Sequence, residues 1–322
     1  MNVGILGAGR IAVTMARTLN VMKEAQCYAV ASRNLEKAQK FAADNHVEKA
    51  YGSYEDMLSD ENVDLVYVAT PHSHHLEHAK LCISYGKPVL CEKSFTANAA
   101  QARELLDYAA EKKVFITEAI WTRYMPSRKM IDDIIASGEL GEIKMLTANL
   151  GYELTDKERM LRPDLAGGAL LDVGVYTLNF ASMVLGDDVV KMTSECVKTD
   201  TGVDGQDAII LTYRDGKLAV LHTGMWADTE QYGIVYGTKG YLIACNINNI
   251  DVIRIYAPDR SLIREVKVPE QITGYEYEVL ACKRALAAGE LECGEMPHAE
   301  TMRIMEWMDA LRKEWGIVYP FE

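Results

Sequence analysis

The sequence predicts an α/β protein in two parts, an N-terminal doubly wound parallel sheet followed by an α+β region with a mostly antiparallel open sheet. Three observations carry this prediction. Up to about residue 120, short β-rich runs alternate with amphipathic helical segments. A glycine turn joins the first of these runs to the first helix. From about 190 to 268, strand-like runs follow one another directly, and helices flank them. The change of pattern divides the chain into 1–120 and 121–322.

In the first part, "VGIL" (3–6) leads through the glycine turn into a helix over about 10–20. "CYAVAS" (27–32) precedes the helical "LEKAQKFAADN". "VDLVYVAT" (63–70), "PVLCE" (88–92) and "VFITEA" (114–119) continue the series, separated by "HLEHAKLCISYG" and "NAAQARELLDYAAEKK". Crossovers of this length set consecutive strands side by side in one direction. In the second part a helix is expected around 126–137 and a strand around 143–152. The polar loop "ELTDKERMLRPDLAGG" and a helix over about 168–185 come next. Hairpin signals stand at "RDGK" and "GTKG", and helical segments at 273–288 and 297–314 complete the pattern.

Composition narrows the function. Of 322 residues, 49 % are hydrophobic and 25 % charged, as in ordinary globular proteins. The 34 basic and 47 acidic residues leave a net charge of -13, which argues against a nucleic-acid partner. Seven cysteines without a C-x-x-C pair read as reduced thiols of a cytosolic protein. The N-terminal run lacks a basic leader and is interrupted by glycines, so no signal peptide is expected. No stretch approaches the roughly 18 uninterrupted apolar residues of a membrane span. The expectation is a cytoplasmic protein with no membrane partner.

"GAGRIA" (7–12) is G-x-G-x-x-A between a strand and a helix. Gly7 permits the tight turn, Gly9 lets a pyrophosphate approach the backbone, and Ala12 keeps helix and sheet close. The helix start then offers free N–H groups and a positive dipole end to phosphate. This is the dinucleotide-binding signature of a Rossmann domain, and Gly7, Gly9, Arg10 and Ile11 are its first cofactor-binding candidates. NAD-binding domains usually carry an acid near the end of the second strand. Here "ASRN" supplies Ser32 and Arg33 instead, a hydroxyl and a guanidinium suited to a 2′-phosphate. NADP is therefore expected over NAD, with NAD possible.

Ligands of doubly wound sheets lie outside the carboxyl ends of the strands. "TPHSHH" and "CEKSFT" fall there. Lys93 becomes a candidate for orienting substrate and favouring deprotonation. A second set comes from "GGALLDVGVYTLNF" (167–180), where Asp172 and Tyr176 are spaced i, i+4 on a predicted helix. Gly174 between them lets another surface approach. A phenol titrates near 10, and a neighbouring ammonium stabilises the phenolate. A tyrosine with a lysine beside it therefore suits removal of a hydroxyl proton during hydride transfer.

These residues together resemble the glucose–fructose oxidoreductase/inositol dehydrogenase (Gfo/Idh/MocA) family. The resemblance rests on G-x-G-x-x-A, E-K at 92–93 and G-G-A-L-L-D-V-G-V-Y at 167–176. "TEAIWTRYMP" (117–126) and the D-x-G-x-Y form resemble dimeric dihydrodiol dehydrogenases and NADP-dependent D-xylose dehydrogenases. The resemblance implies Lys93 and Tyr176 as the catalytic pair, Tyr176 as general acid/base, and Asp172 in contact with substrate. It also implies that Thr70, Pro71, His72, His75, Glu92 and Lys93 lie along the cofactor's ribose and nicotinamide, with Trp121 and Arg123 bordering the same crevice. The implied reaction moves a hydride between the cofactor and a small molecule, a sugar or a cyclic vicinal diol. The family usually reads E-K-P, and this chain reads Glu92-Lys93-Ser94. Serine lacks the backbone restraint of proline, so Lys93 is expected to be held less rigidly.

Arg159 and Arg162 in the loop 153–167 are placed to cover or select substrate. In "DAIILTYRDGKLAVLHTGMW", Leu218 and Val220 point opposite to Ala219 and Leu221, so both faces of that strand are apolar. Helices cover one face, and the resemblance implies a homodimer through the other. Two rival readings remain: a catalytically silent NADP-binding sensor, and a metal-dependent hydrolase built on "TPHSHHLEH" (70–78). His74 and His78 are four apart and His75 and His78 three apart, a spacing metal sites use. The architecture splits that cluster, giving His72 and His75 to the cofactor and His74 and His78 to the following helix. No metal is expected.

Overall fold

The computed structural model describes residues 1–322. The chain forms two compact units, Met1–Tyr124 with Gln271–Met305, and Met125–Glu270 with Glu306–Glu322.

The first unit opens with β1 (Asn2–Leu6), α1 (Arg10–Val21), β2 (Gln26–Ala31), α2 (Leu35–Asn45), β3 (Lys49–Tyr51) and α3 (Tyr54–Leu58). It continues with β4 (Leu65–Val68), α4 (His75–Ser84), β5 (Val89–Glu92), α5 (Ala99–Lys112) and β6 (Ile116–Ala119). The six strands are parallel in the order β3-β2-β1-β4-β5-β6, so the sheet reverses direction of growth between β1 and β4. Every residue of β4, β5 and β6 is buried, as strands covered on both faces must be. Ala12, Met15, Ala16 and Leu19 give α1 its buried stripe. Asn34 and Asn98 cap α2 and α5, each accepting the N–H of the residue three further on. The edge strand β3 is absent from the sequence expectation because three residues carry no readable period.

The second unit contains α6 (Pro126–Ala136), β7 (Ile143–Gly151), a π-helical turn at Leu170–Gly174 and α7 (Val175–Leu185). Seven strands follow: β8 (Val189–Lys198), β9 (Asp204–Tyr213), β10 (Leu218–Gly224), β11 (Gly233–Gly237), β12 (Gly240–Cys245), β13 (Val252–Tyr256) and β14 (Leu262–Lys267). They form an eight-stranded sheet with β7 in the order β14-β13-β12-β11-β7-β10-β9-β8. Only β7 and β10 pair in parallel. Ile209, Leu211, Ala219 and Leu221 are buried on one face, while Leu218 and Ile210 stand 37 % and 40 % exposed on the other. α7 packs closely on the covered face: a Cβ at Gly233 would lie 2.4 Å from the Phe180 ring.

The run 163–185 is long and apolar enough to cross a membrane by length and composition only, and Asp164 and Asp172 interrupt it, so no uninterrupted apolar stretch of that length is present. The run is 83 % buried within the protein over its most apolar window, as a core helix is.

The last two helices are α8 (Glu276–Ala288) and α9 (His298–Trp315). The sequence pattern assigns everything after residue 120 to the second part, but residues 271–305 cluster with the first unit. The reason is the edge of the parallel sheet. Ile116 N–H donates to the Leu291 carbonyl at 3.1 Å, and His298 Nε2 bonds the Ile116 carbonyl at 2.8 Å. Groups of β6 that would otherwise lie bare are thus satisfied by the returning chain. All seven cysteines are free thiols.

Candidate active site

The glycine turn has the geometry a dinucleotide requires. Gly7 has φ +105°, and a Cβ there would lie 2.9 Å from the Ala69 carbonyl oxygen, so a side chain is excluded twice. Gly9 caps α1 without a side-chain bond, and no acid stands in the first turn that Arg10 and Ile11 begin. The helix therefore presents free N–H groups and a positive end to an anion. Ala12 is fully buried against the sheet. At the end of β2, Ser32 is buried, with its hydroxyl accepting Asn34 N–H at 3.4 Å, and Arg33 is exposed. These groups fit a pyrophosphate and the adenosine ribose beside it.

Beyond β4, Thr70 and Pro71 lead into a short 3-10 turn, His72–His74. His75 is wholly buried, with Nε2 2.7 Å from the Thr70 carbonyl and Nδ1 2.9 Å from the Ser94 carbonyl. Its ring thus ties the end of β4 to the segment after Lys93. Burial pulls its pKa down. His78 turns Nδ1 to the Thr70 hydroxyl at 3.0 Å, stacks on His74 and meets the Tyr54 ring edge-on. Its pKa falls to about 4, through burial and then the neighbouring His74, His75 and Arg33. The ring nitrogens of His75 are thus engaged with backbone carbonyls. No group of three or more His, Cys, Asp or Glu side chains is disposed to hold a metal ion, which leaves the hydrolase reading without a ligand set.

At the end of β5, Glu92 is buried and accepts the hydroxyl of Tyr67 from β4. Lys93 is partly exposed, and the Lys93–Ser94 peptide bond is cis. Ser94 is fully buried, and the next residue is fixed as well: Phe95 N–H donates to Glu118 Oε1 at 3.1 Å. His75 and Glu118 thus hold the two residues that follow Lys93. Burial pushes Glu118 up to about 7. Trp121 stacks on Tyr275 with ring centroids 4.1 Å apart, and buried Arg123 pairs with Glu300 at 2.8 Å.

In the second unit, the Gly167–Gly168 pair lets the preceding loop lie directly on the chain. A Cβ at Gly167 would come within 2.6 Å of the Arg159 and Met160 carbonyls, and Gly168 has φ +118°. The π-turn that follows carries Asp172, and α7 carries Tyr176, both 7 % exposed. Arg159 reaches back to Asp172, Nη2 to Oδ2 at 3.0 Å. Arg162 instead pairs with Asp164 and Glu158 inside its own loop. Of the two loop arginines, Arg159 is therefore the one joined to a candidate site residue. Gly174 faces Thr223 of β10, whose hydroxyl oxygen would be 3.5 Å from a Cβ.

Two family models match the chain. Residues 1–119 match the model described as "Oxidoreductase family, NAD-binding Rossmann fold", and residues 129–243 match the GFO/IDH/MocA C-terminal domain. The chain belongs to the GFO/IDH/MocA oxidoreductase family.

Among curated members of this family, the trans-1,2-dihydrobenzene-1,2-diol dehydrogenase of Danio rerio is 32 % identical over 98 % of this chain and 97 % of its own. The NADP(+)-dependent D-xylose 1-dehydrogenase of Hypocrea jecorina is 35 % identical over 84 % of this chain and 78 % of its own. A solved 3-ketoreductase from Actinomadura kijaniata, in complex with NADP and TDP-benzene, superposes with a TM-score of 0.88 at 26 % identity, over 97 % of both chains.

Several buried polar groups of this GFO/IDH/MocA chain escape sequence reading. Tyr67 and Glu118 lie inside fully buried strands, where a polar residue signals a buried hydrogen bond. That signal was present in "VYVAT" and "ITEA". Their partners Glu92 and Phe95 come from other parts of the chain, so the pairing needed the fold.

Proposed function

We propose that this chain is an NADP-preferring dehydrogenase or reductase, acting on a CH–OH group of a sugar or cyclic vicinal diol. The observation that carries the reading is the joint occurrence of Lys93 and the Asp172–Tyr176 turn in a chain 32 % identical, over 98 % of its length, to a dihydrodiol dehydrogenase. The substrate class follows the relatives' names, one a diol dehydrogenase and one a xylose dehydrogenase. The cofactor's nicotinamide supplies hydride transfer when bound. Tyr176 moves the hydroxyl proton, Lys93 stabilises its phenolate form, and Asp172 orients a substrate hydroxyl.

NADP preference is supported by exposed Arg33 and the hydroxyl of Ser32 where an NAD enzyme has an acid. Gly7, Gly9, Arg10 and Ile11 hold the pyrophosphate in this reading. Thr70, Pro71, His72, Glu92, Trp121 and Arg123 border the nicotinamide end, and His75 acts from behind Thr70 and Ser94. A homodimer through the uncovered face of the eight-stranded sheet completes the proposal. Its support is the apolar character of that face: Ile210, Leu218 and a ladder of Tyr236, Tyr241 and Tyr256, the last two stacked at 5.0 Å.

The test is a panel of aldoses, ketoses and vicinal diols with NADP+ and NAD+ side by side, on wild type, Lys93→Met and Tyr176→Phe. Each substitution is expected to lower kcat by roughly 10²- to 10⁴-fold. Turnover close to wild type in Tyr176→Phe would overturn the assignment. Tight NADP+ binding with no turnover on any substrate would favour the sensor reading.

A further inference from the structure

The segment Ile317–Glu322, which follows α9, has no part in the chemistry above, yet it is fastened at several points. Buried Arg312 of α9 donates from Nη2 to Glu322 Oε1 at 2.8 Å and from Nη1 to Glu322 Oε2 at 3.1 Å. The same carboxylate accepts the Tyr319 N–H at 2.8 Å. The Arg312 guanidinium lies 4.5 Å from the centroid of the Tyr319 ring, and Phe321 stacks on that ring. Tyr319 is left 1 % exposed.

The hydroxyl of this buried phenol donates to the Gly167 carbonyl at 2.9 Å. Gly167 and Gly168 are the residues on which the loop 153–167 closes. Gly167 N–H donates to the Arg162 carbonyl at 2.9 Å, and Gly168 N–H to the Met160 carbonyl at 3.0 Å. A Cβ at Gly167 would meet the carbonyls of Arg159, Met160 and Arg162, so the loop lies directly on the glycine pair. Just beyond the pair, wholly buried Asp204 of β9 accepts the Leu170 N–H at the start of the π-turn. The chain entering the turn is thus held at Leu170 by a carboxylate and at Gly167 by a phenol. Arg159, in the same loop, makes the contact to Asp172. All of these residues belong to the second unit.

We infer that Tyr319 is a positioning residue for the reaction. Its hydroxyl latches the Gly167 carbonyl, and the loop closed on Gly167 sets the Arg159–Asp172 pair against the turn bearing Tyr176. The glycines are what the latch answers. Two in succession carry more backbone freedom than any other pair, and Gly168 sits at φ +118°, so the local sequence does not fix where the Gly167 carbonyl points. Without the phenol that buried carbonyl loses its donor, and a buried acceptor left bare costs more than the bond itself contributes. Burial pushes the Tyr319 phenol above its ordinary range, so it stays a donor.

The inference rests on Asp172 as a substrate contact, and its test separates the two. Tyr319→Phe deletes the hydroxyl and keeps the ring beside Arg312 and Phe321. On the best substrate of the aldose, ketose and diol panel, its kcat/KM is expected to fall roughly 3- to 10-fold, with the Kd for NADP+ unchanged. In an Arg159→Met background the same substitution is expected to cost less than about twofold, because the pair through which Tyr319 acts is already broken. Equal losses in the two backgrounds would reduce Tyr319 to general packing and overturn the inference. Amide exchange needs no substrate: at 160–168 it is expected to quicken in Tyr319→Phe, and exchange at the wild-type rate would overturn the latch whatever the kinetics show. Glu322→Ala, which loosens the segment and leaves the phenol in place, takes the place of Tyr319→Phe in the same cycle if that variant does not fold. Retained turnover in Tyr176→Phe would sink the catalytic reading, and the exchange result would still decide this one.

Discussion

Arg159 Nη2 lies 3.0 Å from Asp172 Oδ2, and both its terminal nitrogens reach Oδ1 at 3.2 Å. The contact joins a half-exposed loop arginine to a nearly buried carboxylate. Arg159 thus aims the Asp172 carboxylate and ties it to the loop around it.

Arg159→Met is accordingly expected to lower kcat/KM by roughly tenfold, about the value of one charge-assisted hydrogen bond at a partly solvated site. Arg159→Lys recovers part of it. Steady-state kinetics check this, and an unchanged kcat/KM in Arg159→Met would show that Asp172 does not depend on the loop.

Arg33→Ala separates the two cofactors. The KM for NADP+ should rise roughly 10- to 100-fold with loss of charge-assisted bonds to the 2′-phosphate, while the KM for NAD+ stays level. Parallel changes for both cofactors would place Arg33 away from the phosphate.

Glu118 gives a pH dependence with a definite sign. Its pKa is raised from 4.5 to about 7, so the folded state holds a proton that the unfolded state releases in that window. Stability from this group is complete below pH 4.5 and is lost as pH rises through about 7, by roughly 3 kcal/mol in all. Glu118→Gln should flatten that slope in urea titrations compared at pH 4.5, 6 and 8. Wild-type and variant slopes that coincide would mean Glu118 is ionised in the folded protein.

Ile210 stands 40 % exposed in the uncovered face of the sheet. Ile210→Glu places a charge in the proposed dimer core and should yield monomers in sedimentation at micromolar concentration, with wild type dimeric. A wild-type monomer would remove the dimer from the proposal.

The parallel sheet was legible because its strands are continuous apolar runs punctuated by helices of regular period. The glycine turn was legible because φ +105° at Gly7 leaves glycine as the fitting choice. β3 was invisible for want of length, and the return of 271–305 to the first unit was invisible because a sheet edge seeks backbone partners without regard to side chains. The same holds in the site. "EKS" read as a loosened lysine, and the contacts of His75 and Glu118 to the two residues that follow it come from distant parts of the chain that sequence does not pair.

By itself the sequence determined the two kinds of sheet, the dinucleotide turn, the family and the candidate set of Lys93, Asp172 and Tyr176, because period, glycine placement and residue type are local properties. Tertiary structure alone decided which polar groups are buried and what answers them: Tyr67 on Glu92, Arg159 on Asp172, Asp204 on the Leu170 amide. Such pairs join residues up to dozens of positions apart, and the low-dielectric interior that makes them matter exists only once the chain has closed around them.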